Sequence, residues 1–301
     1  MDFKTGFLTF SSMAKILLGI VIVFFAGLAF SGWLTVKRIK KPLNTKGENN
    51  VANPVTINEK IGALLIKNKL AILLEIALVF VPSGALYIIN TQYGREFIPL
   101  GGDVVLLGGP LLFVGMGLSL LAVWISSRMR GIGWQEFGLS KPKSWIRTAL
   151  LAIGVYVGFI ITYVLIVSPI LKFAFPDGVV DLSRFEHLRG NLPSLIINVI
   201  VHAFITAGFV EEFLWRGYLI NRLVDLQGKK TILTWIVAIV CSAIIFGLGH
   251  ANQGLMGMVK ISLIGLLLGT AFLAVRRNLW TLVIVHIVLD VVSFTQHYLD
   301  V

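Results

Sequence analysis

The chain contains little charge and almost no cysteine. Of its 301 residues, 14% are charged and 56% are hydrophobic, and Cys241 is the only cysteine. A single cysteine cannot form an intramolecular disulfide, so Cys241 is most simply interpreted as a small packing residue. So little charge, at a mean hydropathy of +0.88, excludes a soluble globular protein.

Several common catalytic motifs are also missing from the sequence. There is no Gly-Lys loop of the kind that cradles phosphates, no HExxH zinc motif, and no serine or cysteine with an evident partner base. No long repeat and no low-complexity tract is found either. The chemistry of the protein must therefore come from other polar residues.

What the sequence does contain is a series of long apolar runs. Segments of roughly 20 apolar residues, enough to cross a bilayer as a helix, recur along the chain. We predict an all-α polytopic membrane protein with about eight transmembrane helices that enclose an intramembrane catalytic cavity. The first run is expected to be a retained helix, because the basic residues KRIKK follow it, whereas those of a cleavable signal precede the apolar run. The predicted spans are 16–36, 70–90, 104–125, 146–171, 192–215, 232–250, 256–275 and 279–296.

The net charge of +11 is explained by membrane topology. Most of the Lys and Arg residues fall in loops on one side of this arrangement, at 37–69, 126–147, 216–231 and 276–277. We predict that this side is cytoplasmic and that both termini face outward. The expected partners are the lipid bilayer and a peptide or protein substrate, and nucleic acid is not expected. The protein should be integral to the membrane, which in a bacterium is the plasma membrane.

Two parts of the chain are distinguished by composition. We expect residues 1–145 to form N-terminal membrane helices with an interfacial segment, and residues 146–301 to hold the C-terminal helices. The segment 131–145 sets Trp134, Phe137 and Trp145 among basic residues, which is typical of chain lying at the headgroup level.

Polar residues inside the predicted spans carry the functional information, because each charge at a helix centre costs roughly 2.5 to 3.5 kcal/mol. In the first 190 residues the main one is Glu75, which structural pairing explains at least as well as function. The last 110 residues are richer. They contribute Glu211, Glu212, Arg216, His202, His250, His286 and Asp290.

The stretch FVEEFLWRGYL places two adjacent acids one turn before an arginine. Glu212 and Arg216 are four residues apart and share a helix face, so they can neutralise each other. Glu211 is rotated by about 100° from its neighbour and is left without a local counter-ion. A buried salt bridge explains Glu212 and Arg216, but it does not explain Glu211. Such a desolvated carboxylate suits a general base.

Two further spans offer imidazoles. Phe246 and His250 are four residues apart and are expected on one helical face, as are His286 and Asp290. Asp290 could accept a hydrogen bond from His286 and fix its tautomer. His202 lies nine residues before Glu211, about 180° around an α-helix, and we exclude it from the site.

These groups are suited to activating water. Glu211 would take a proton from the water that attacks a peptide carbonyl, while His250 and His286 either hold a metal or stabilise the oxyanion. A carboxylate and two imidazoles also make a plausible three-ligand zinc site with one position open for water. Both a zinc enzyme and a cofactor-free enzyme fit this pattern.

The motifs EEFLWR, FGLGH and HIVLD occur in this order on three spans. They resemble the EExxxR, FxxxH and HxxxN/D motifs of the CPBP or Abi family, intramembrane proteases similar to the type II CAAX prenyl endopeptidase. The resemblance covers about 192–296. It implies a helical fold with a conical cavity, with Glu211 activating water, His250 and His286 completing the site, and Glu212 and Arg216 supporting it.

This resemblance leaves three questions open. Asp290 stands where eukaryotic members have Asn; it would donate to an oxyanion only when protonated, and would be the better metal ligand or histidine orienter. The substrate could be a prenylated C-terminal peptide or, in a bacterium, a short signalling, leader or bacteriocin peptide. Competing functions are a proton- or ion-coupled transporter and a catalytically inactive immunity or scaffold protein.

The predicted span boundaries also raise a problem of depth. At 1.5 Å per residue, Glu211 and His250 fall roughly 27 to 29 Å along their helices, whereas His286 falls only about 10 Å along its own. Span six must therefore be strongly tilted, or its first turns must lie in the interface.

Overall fold

The computed structural model describes residues 57–93 and 97–299. This part of the chain is almost entirely helical, and its strands form a single two-stranded hairpin. The predicted all-α class of polytopic membrane protein is therefore confirmed. The first predicted span, 16–36, lies outside the described residues.

Helices account for every long element in the described part. Their starts are fixed by side-chain caps: Asn68 accepts hydrogen bonds from the backbone of the next helix, Ser144 does the same, and Thr231 forms a capping box with Thr234. The helices are α1 (Ile57–Lys67), α2 (Lys69–Gln92), α3 (Pro110–Arg130), α4 (Trp145–Ala174), α5 (Leu192–Gln227), α6 (Ile232–Leu248), α7 (Gly254–Ala274) and α8 (Leu279–Leu299).

Six of these helices, α2 to α5, α7 and α8, are long and apolar enough to cross a membrane. Helix α6 is equally apolar but has only 17 residues. Each predicted span from 70–90 onward thus has a helical counterpart, although α6 falls short of the usual length. The predicted count of eight is approximate.

The span predicted at 104–125 starts later than expected. Strand β1 (Phe97–Gly101) and strand β2 (Val104–Leu107) form an antiparallel hairpin, and α3 begins only at Pro110. The run VVLL is apolar and β-branched, and hydropathy alone cannot separate such a strand from a helix. The hairpin is held against the start of α5, where Asn198 accepts from Leu107 N and donates to Val105 O.

Helix α5 is longer than predicted. The expected loop 216–231 is wrong, because α5 continues to Gln227 and only residues 228–231 connect it to α6. Apolar residues continue to be buried along the last turns of α5, and Gly228, at φ +76°, ends it. Arg216 and Arg222, expected in a basic loop, are each only 1% exposed.

The segment 131–145 packs one aromatic side chain inward and leaves two exposed. Phe137, on a short 3₁₀-helix, is 1% exposed and lies edge-on to Phe213 of α5 at 5.3 Å between ring centroids. Trp134 and Trp145 remain 44% and 53% exposed. This division is compatible with an interfacial position, which stays a prediction.

Glu75 has the structural pairing that its sequence context suggested. Its carboxylate, on α2, contacts Arg130 at 3.2 Å and also contacts Arg222, and it accepts from the Tyr218 hydroxyl at 3.1 Å. All four side chains are buried. They tie α2 and α3 to α5 and thereby hold α5 in place.

Candidate active site

Glu212 lies at the centre of a buried polar cluster. Arg216 Nη1 donates to Glu212 Oε1 at 2.9 Å, so the predicted pair within α5 is present. His286 of α8 contacts the same oxygen through Nδ1 at 2.7 Å. Because a carboxylate paired with arginine can only accept, the His286 Nδ1–H donates this bond. Glu212 is 0% exposed and is fully occupied by the two partners.

The partner of His286 therefore differs from the one predicted. Asp290 Oδ1 lies 3.9 Å from His286 Nε2, which is too long for a hydrogen bond. The bond that orients the imidazole comes from Glu212 on another helix. Sequence spacing reveals neighbours on one helix, but it cannot reveal a partner 74 residues away.

Close approach of α5 and α8 depends on Gly208. A Cβ at this position would overlap the Ile287 side chain and the carbonyl of Ala203. Since Gly208 precedes Glu212 by one turn and Ile287 follows His286 directly, the missing side chain lets the two helices approach where Glu212 meets His286.

Glu211 has a different environment from Glu212. It lines a cavity of about 390 Å³ together with His250, His202 and Arg184. Within that lining, Glu211 and Arg184 are the charged groups, and most of the rest is apolar or aromatic. The two adjacent acids thus separate as predicted: one is buried in ion pairs and the other faces open space.

His250 reaches this cavity from a turn. Helix α6 ends at Leu248, so the expectation that Phe246 and His250 lie on one helical face is wrong in detail. The His250 Nδ1–H donates instead to the carbonyl of Phe246 at 2.9 Å, because a carbonyl can only accept. That bond leaves Nε2 of a neutral His250 with its lone pair available.

Phe246 connects the two halves of the site. Its buried ring lies 4.7 Å from the Arg216 guanidinium carbon, 4.8 Å from the His250 ring and 5.3 Å from the Trp215 ring. A guanidinium over an aromatic face is attracted by the ring quadrupole. Phe246 therefore packs directly between the ion-pair cluster and the cavity.

His202 lines the cavity, contrary to the prediction that excluded it. Residues Val199–Glu211 form a π-helix, and Phe213–Leu219 form another. Two turns of a π-helix take roughly nine residues, since its hydrogen bonds close at i+5, so residues 202 and 211 return to one face. The argument that placed them on opposite faces assumed 3.6 residues per turn.

Arg184 was not identified from the sequence. It lies on a 3₁₀-helix, Ser183–Leu188, in the hydrophilic segment 172–191. Its Nε is buried without a hydrogen-bond partner, and its side chain lines the cavity. Only the tertiary fold brings it close, because nothing separates Arg184 in sequence from the other basic residues of the loops.

The extended length of α5 resolves the predicted mismatch in depth. Glu211 lies about 24 Å before the end of α5 and His250 about 27 Å after the start of α6, measured from the same short connection. Helix α8 begins beside Gly217, where Leu279 would lie 3.3 Å from an added Cβ, so His286 lies only about 10 Å further along. All three side chains reach one level without a strong tilt.

The proposed zinc ligands do not form a metal-binding cluster in this arrangement. Across 57–93 and 97–299, no group of three or more His, Cys, Asp and Glu side chains is placed to hold a metal ion. Glu211 and His250 share the cavity, but His286 does not line it and is bonded to Glu212. The residues present do not fit the three-ligand set of Glu211, His250 and His286.

The fold and the site define a class of protein: a polytopic α-helical membrane protein with a carboxylate and imidazoles around a cavity between its C-terminal helices. Residues 193–292 match the model of the Rce1-like family, described as type II CAAX prenyl endopeptidase Rce1-like. The match includes all three motifs and supports assignment of the chain to the CAAX protease family. No curated protein and no solved structure matches the chain.

Proposed function

We propose that this protein is an intramembrane endopeptidase that hydrolyses a peptide bond of a membrane-associated peptide or protein. The observation that carries the proposal is the separation of the two adjacent acids. Glu212 is held by Arg216 and His286, while Glu211 faces a cavity shared with His250. A carboxylate kept free beside an imidazole is what water activation requires.

In the proposed reaction, Glu211 and His250 hold the attacking water between them. Both present acceptors to the cavity, the carboxylate of Glu211 and the Nε2 lone pair of His250, so each can bind one hydrogen of the water. Glu211 then takes a proton as the water oxygen attacks the peptide carbonyl, and returns it to the leaving amine.

Glu212, His286 and Arg216 act as positioning residues in this proposal. Their bonds fix α5 against α8 and hold the helix that carries Glu211. Asp290 lies behind His286 and contributes to the field around it. Arg184 gives the cavity a positive charge, suited to the negative charge that develops on the carbonyl oxygen.

The substrate class follows from the position of the cavity among apolar helices. A volume of about 390 Å³ suits a few residues around a scissile bond. Access between transmembrane helices favours a peptide that is already embedded in or anchored to the bilayer. The family description names a prenyl endopeptidase, which is compatible with a lipid-anchored peptide.

Comparative peptidomics tests the proposal. Cells carrying the wild-type protein would be compared with cells carrying Glu211→Gln, with the exposed Glu186→Gln as a matched control. We expect an uncleaved membrane peptide to accumulate with Glu211→Gln alone. Identical peptide profiles for the two variants, together with altered export of a solute, would favour a transporter instead. Metal analysis of the purified protein would report whether an ion is bound.

A further inference from the structure

A second cavity lies at the opposite end of α5 from the hairpin. Its volume is about 380 Å³, and it is formed by the ends of α3 and α5, the 3₁₀-helix at 134–137 and the turn between α7 and α8. We call it the basic cleft. Its polar and charged lining residues are Arg130, Glu136, Asn221, Arg222, Asp225, Lys230 and Arg277.

The basic cleft presents cations that its own acids do not fully satisfy. Glu75, behind the cleft, pairs with Arg130 and Arg222, and Asp225 pairs with Arg222 at 3.0 Å. Lys230 lies 3.8 Å from Asp225 and is otherwise exposed. The two carboxylates thus already serve two buried arginines, which leaves the charges of Lys230 and Arg277 largely uncompensated.

Three arginines of the basic cleft also keep buried donors without acceptors. Arg130 Nη2, Arg222 Nε and Arg277 Nε are buried and make no hydrogen bond. The side chains of Arg130 and Arg222 are only 4% and 2% exposed. Buried polar groups are normally satisfied, so orphan donors on three residues of one cavity point to a missing acceptor group.

Arg277 is held in place at a conformational cost. It and Arg276 adopt left-handed backbone angles, at φ +61° and +56°, which non-glycine residues rarely do. Its Nη2 donates to the carbonyl of Glu136, and its guanidinium carbon lies 5.3 Å from the Trp235 ring. Backbone strain of this kind persists where surrounding contacts fix it, and it often marks a binding site.

We propose that the basic cleft binds a phosphate group, supplied by the headgroup of an anionic phospholipid. A phosphate offers several acceptor oxygens, and arginine is the side chain that best matches them. The cleft lies among helix ends beside the exposed Trp134, on the side that charge bias assigns to the cytoplasm. Basic pockets between helices on that side are where anionic headgroups bind.

The chain offers a matched pair of double variants. Lys230→Gln/Arg277→Gln removes two cleft charges. Lys229→Gln/Arg276→Gln removes two exposed charges at the adjacent positions, on the same side and with the same change in net charge, and neither residue lines the cleft. Lys230→Gln alone alters a side chain that is 71% exposed and cannot disturb folding appreciably.

The experiment uses the purified full chain in nanodiscs of phosphatidylcholine, with and without phosphatidylglycerol, and counts retained phosphatidylglycerol by native mass spectrometry. We expect the wild type and the Lys229→Gln/Arg276→Gln control to retain it. The Lys230→Gln/Arg277→Gln variant should lose affinity by about tenfold or more for each charged contact removed, and Lys230→Gln alone by about tenfold.

A parallel arm adds inorganic phosphate to phosphatidylcholine nanodiscs and follows thermal unfolding. Stabilisation by phosphate that the cleft variant loses, without retention of phosphatidylglycerol, would keep the phosphate chemistry but assign it to a soluble source. Equal lipid retention by the cleft variant and its control, with no effect of phosphate on either, would overturn the proposal.

Discussion

The pairing of Glu212 with Arg216 makes a quantitative prediction about stability. Replacing Arg216 by Met removes the guanidinium but keeps an apolar side chain in a position that is 1% exposed. Glu212, which is 0% exposed, would then retain only His286, at 2.7 Å, as a partner. Removing one partner of a buried ion pair costs about 3 to 5 kcal/mol, because the other charge is left uncompensated.

The double variant Glu212→Gln/Arg216→Met should cost less than Arg216→Met alone. It removes both charges, and the side-chain amide carbonyl that replaces the Glu212 carboxylate would still accept from His286 Nδ1. The loss of the cation–π contact between Arg216 and Phe246, at 4.7 Å, is common to both variants and cancels in the comparison. We expect the two substitutions to be coupled by about 1 to 3 kcal/mol.

Denaturant unfolding in detergent micelles, followed by tryptophan fluorescence, measures these differences. The exposed Arg276→Met serves as a control and should stay within about 0.5 kcal/mol of the wild type. Strictly additive costs for Glu212→Gln and Arg216→Met would refute the reasoning, because they would mean that neither group stabilises the other.

Three further predictions concern the surroundings of Glu211. Gly208→Ala should separate α5 from α8 and lower the unfolding midpoint, whereas Gly154→Ala, where an added Cβ meets open space, should not. His202→Phe should lower kcat/KM for the cleaved peptide by about tenfold while leaving the unfolding midpoint near that of the wild type, and unchanged turnover would remove His202 from the site. Arg184→Gln should lower kcat/KM by about a hundredfold if the charge stabilises the developing oxyanion, with partial recovery in Arg184→Lys.

The sequence was sufficient for the parts of the structure that depend on composition and local spacing. Apolar runs predicted the helices, since each must cover its own backbone in lipid. The four-residue spacing of Glu212 and Arg216 predicted their ion pair, and it survives in the structure. The order of the three motifs predicted the family.

Features that depend on hydrogen-bond register or on distant contacts could not be predicted. No residue pattern announced the π-helix of α5, so a 3.6-residue period placed His202 on the wrong face. Hydropathy did not anticipate that α6 ends at Leu248, which places His250 in a turn. Asp290 was assigned to His286 because it is close in sequence, whereas Glu212 reaches His286 through the packing of α5 on α8.

The central claim is that Glu211 activates the water that hydrolyses a peptide bond. The most direct measurement uses purified protein in lipid, a peptide identified by peptidomics, and water enriched in oxygen-18. The wild type and Glu186→Gln should place the heavy oxygen in the new carboxyl group, and Glu211→Gln should do so about 10² to 10⁴ times more slowly. Hydrolysis by Glu211→Gln at the wild-type rate would contradict the account.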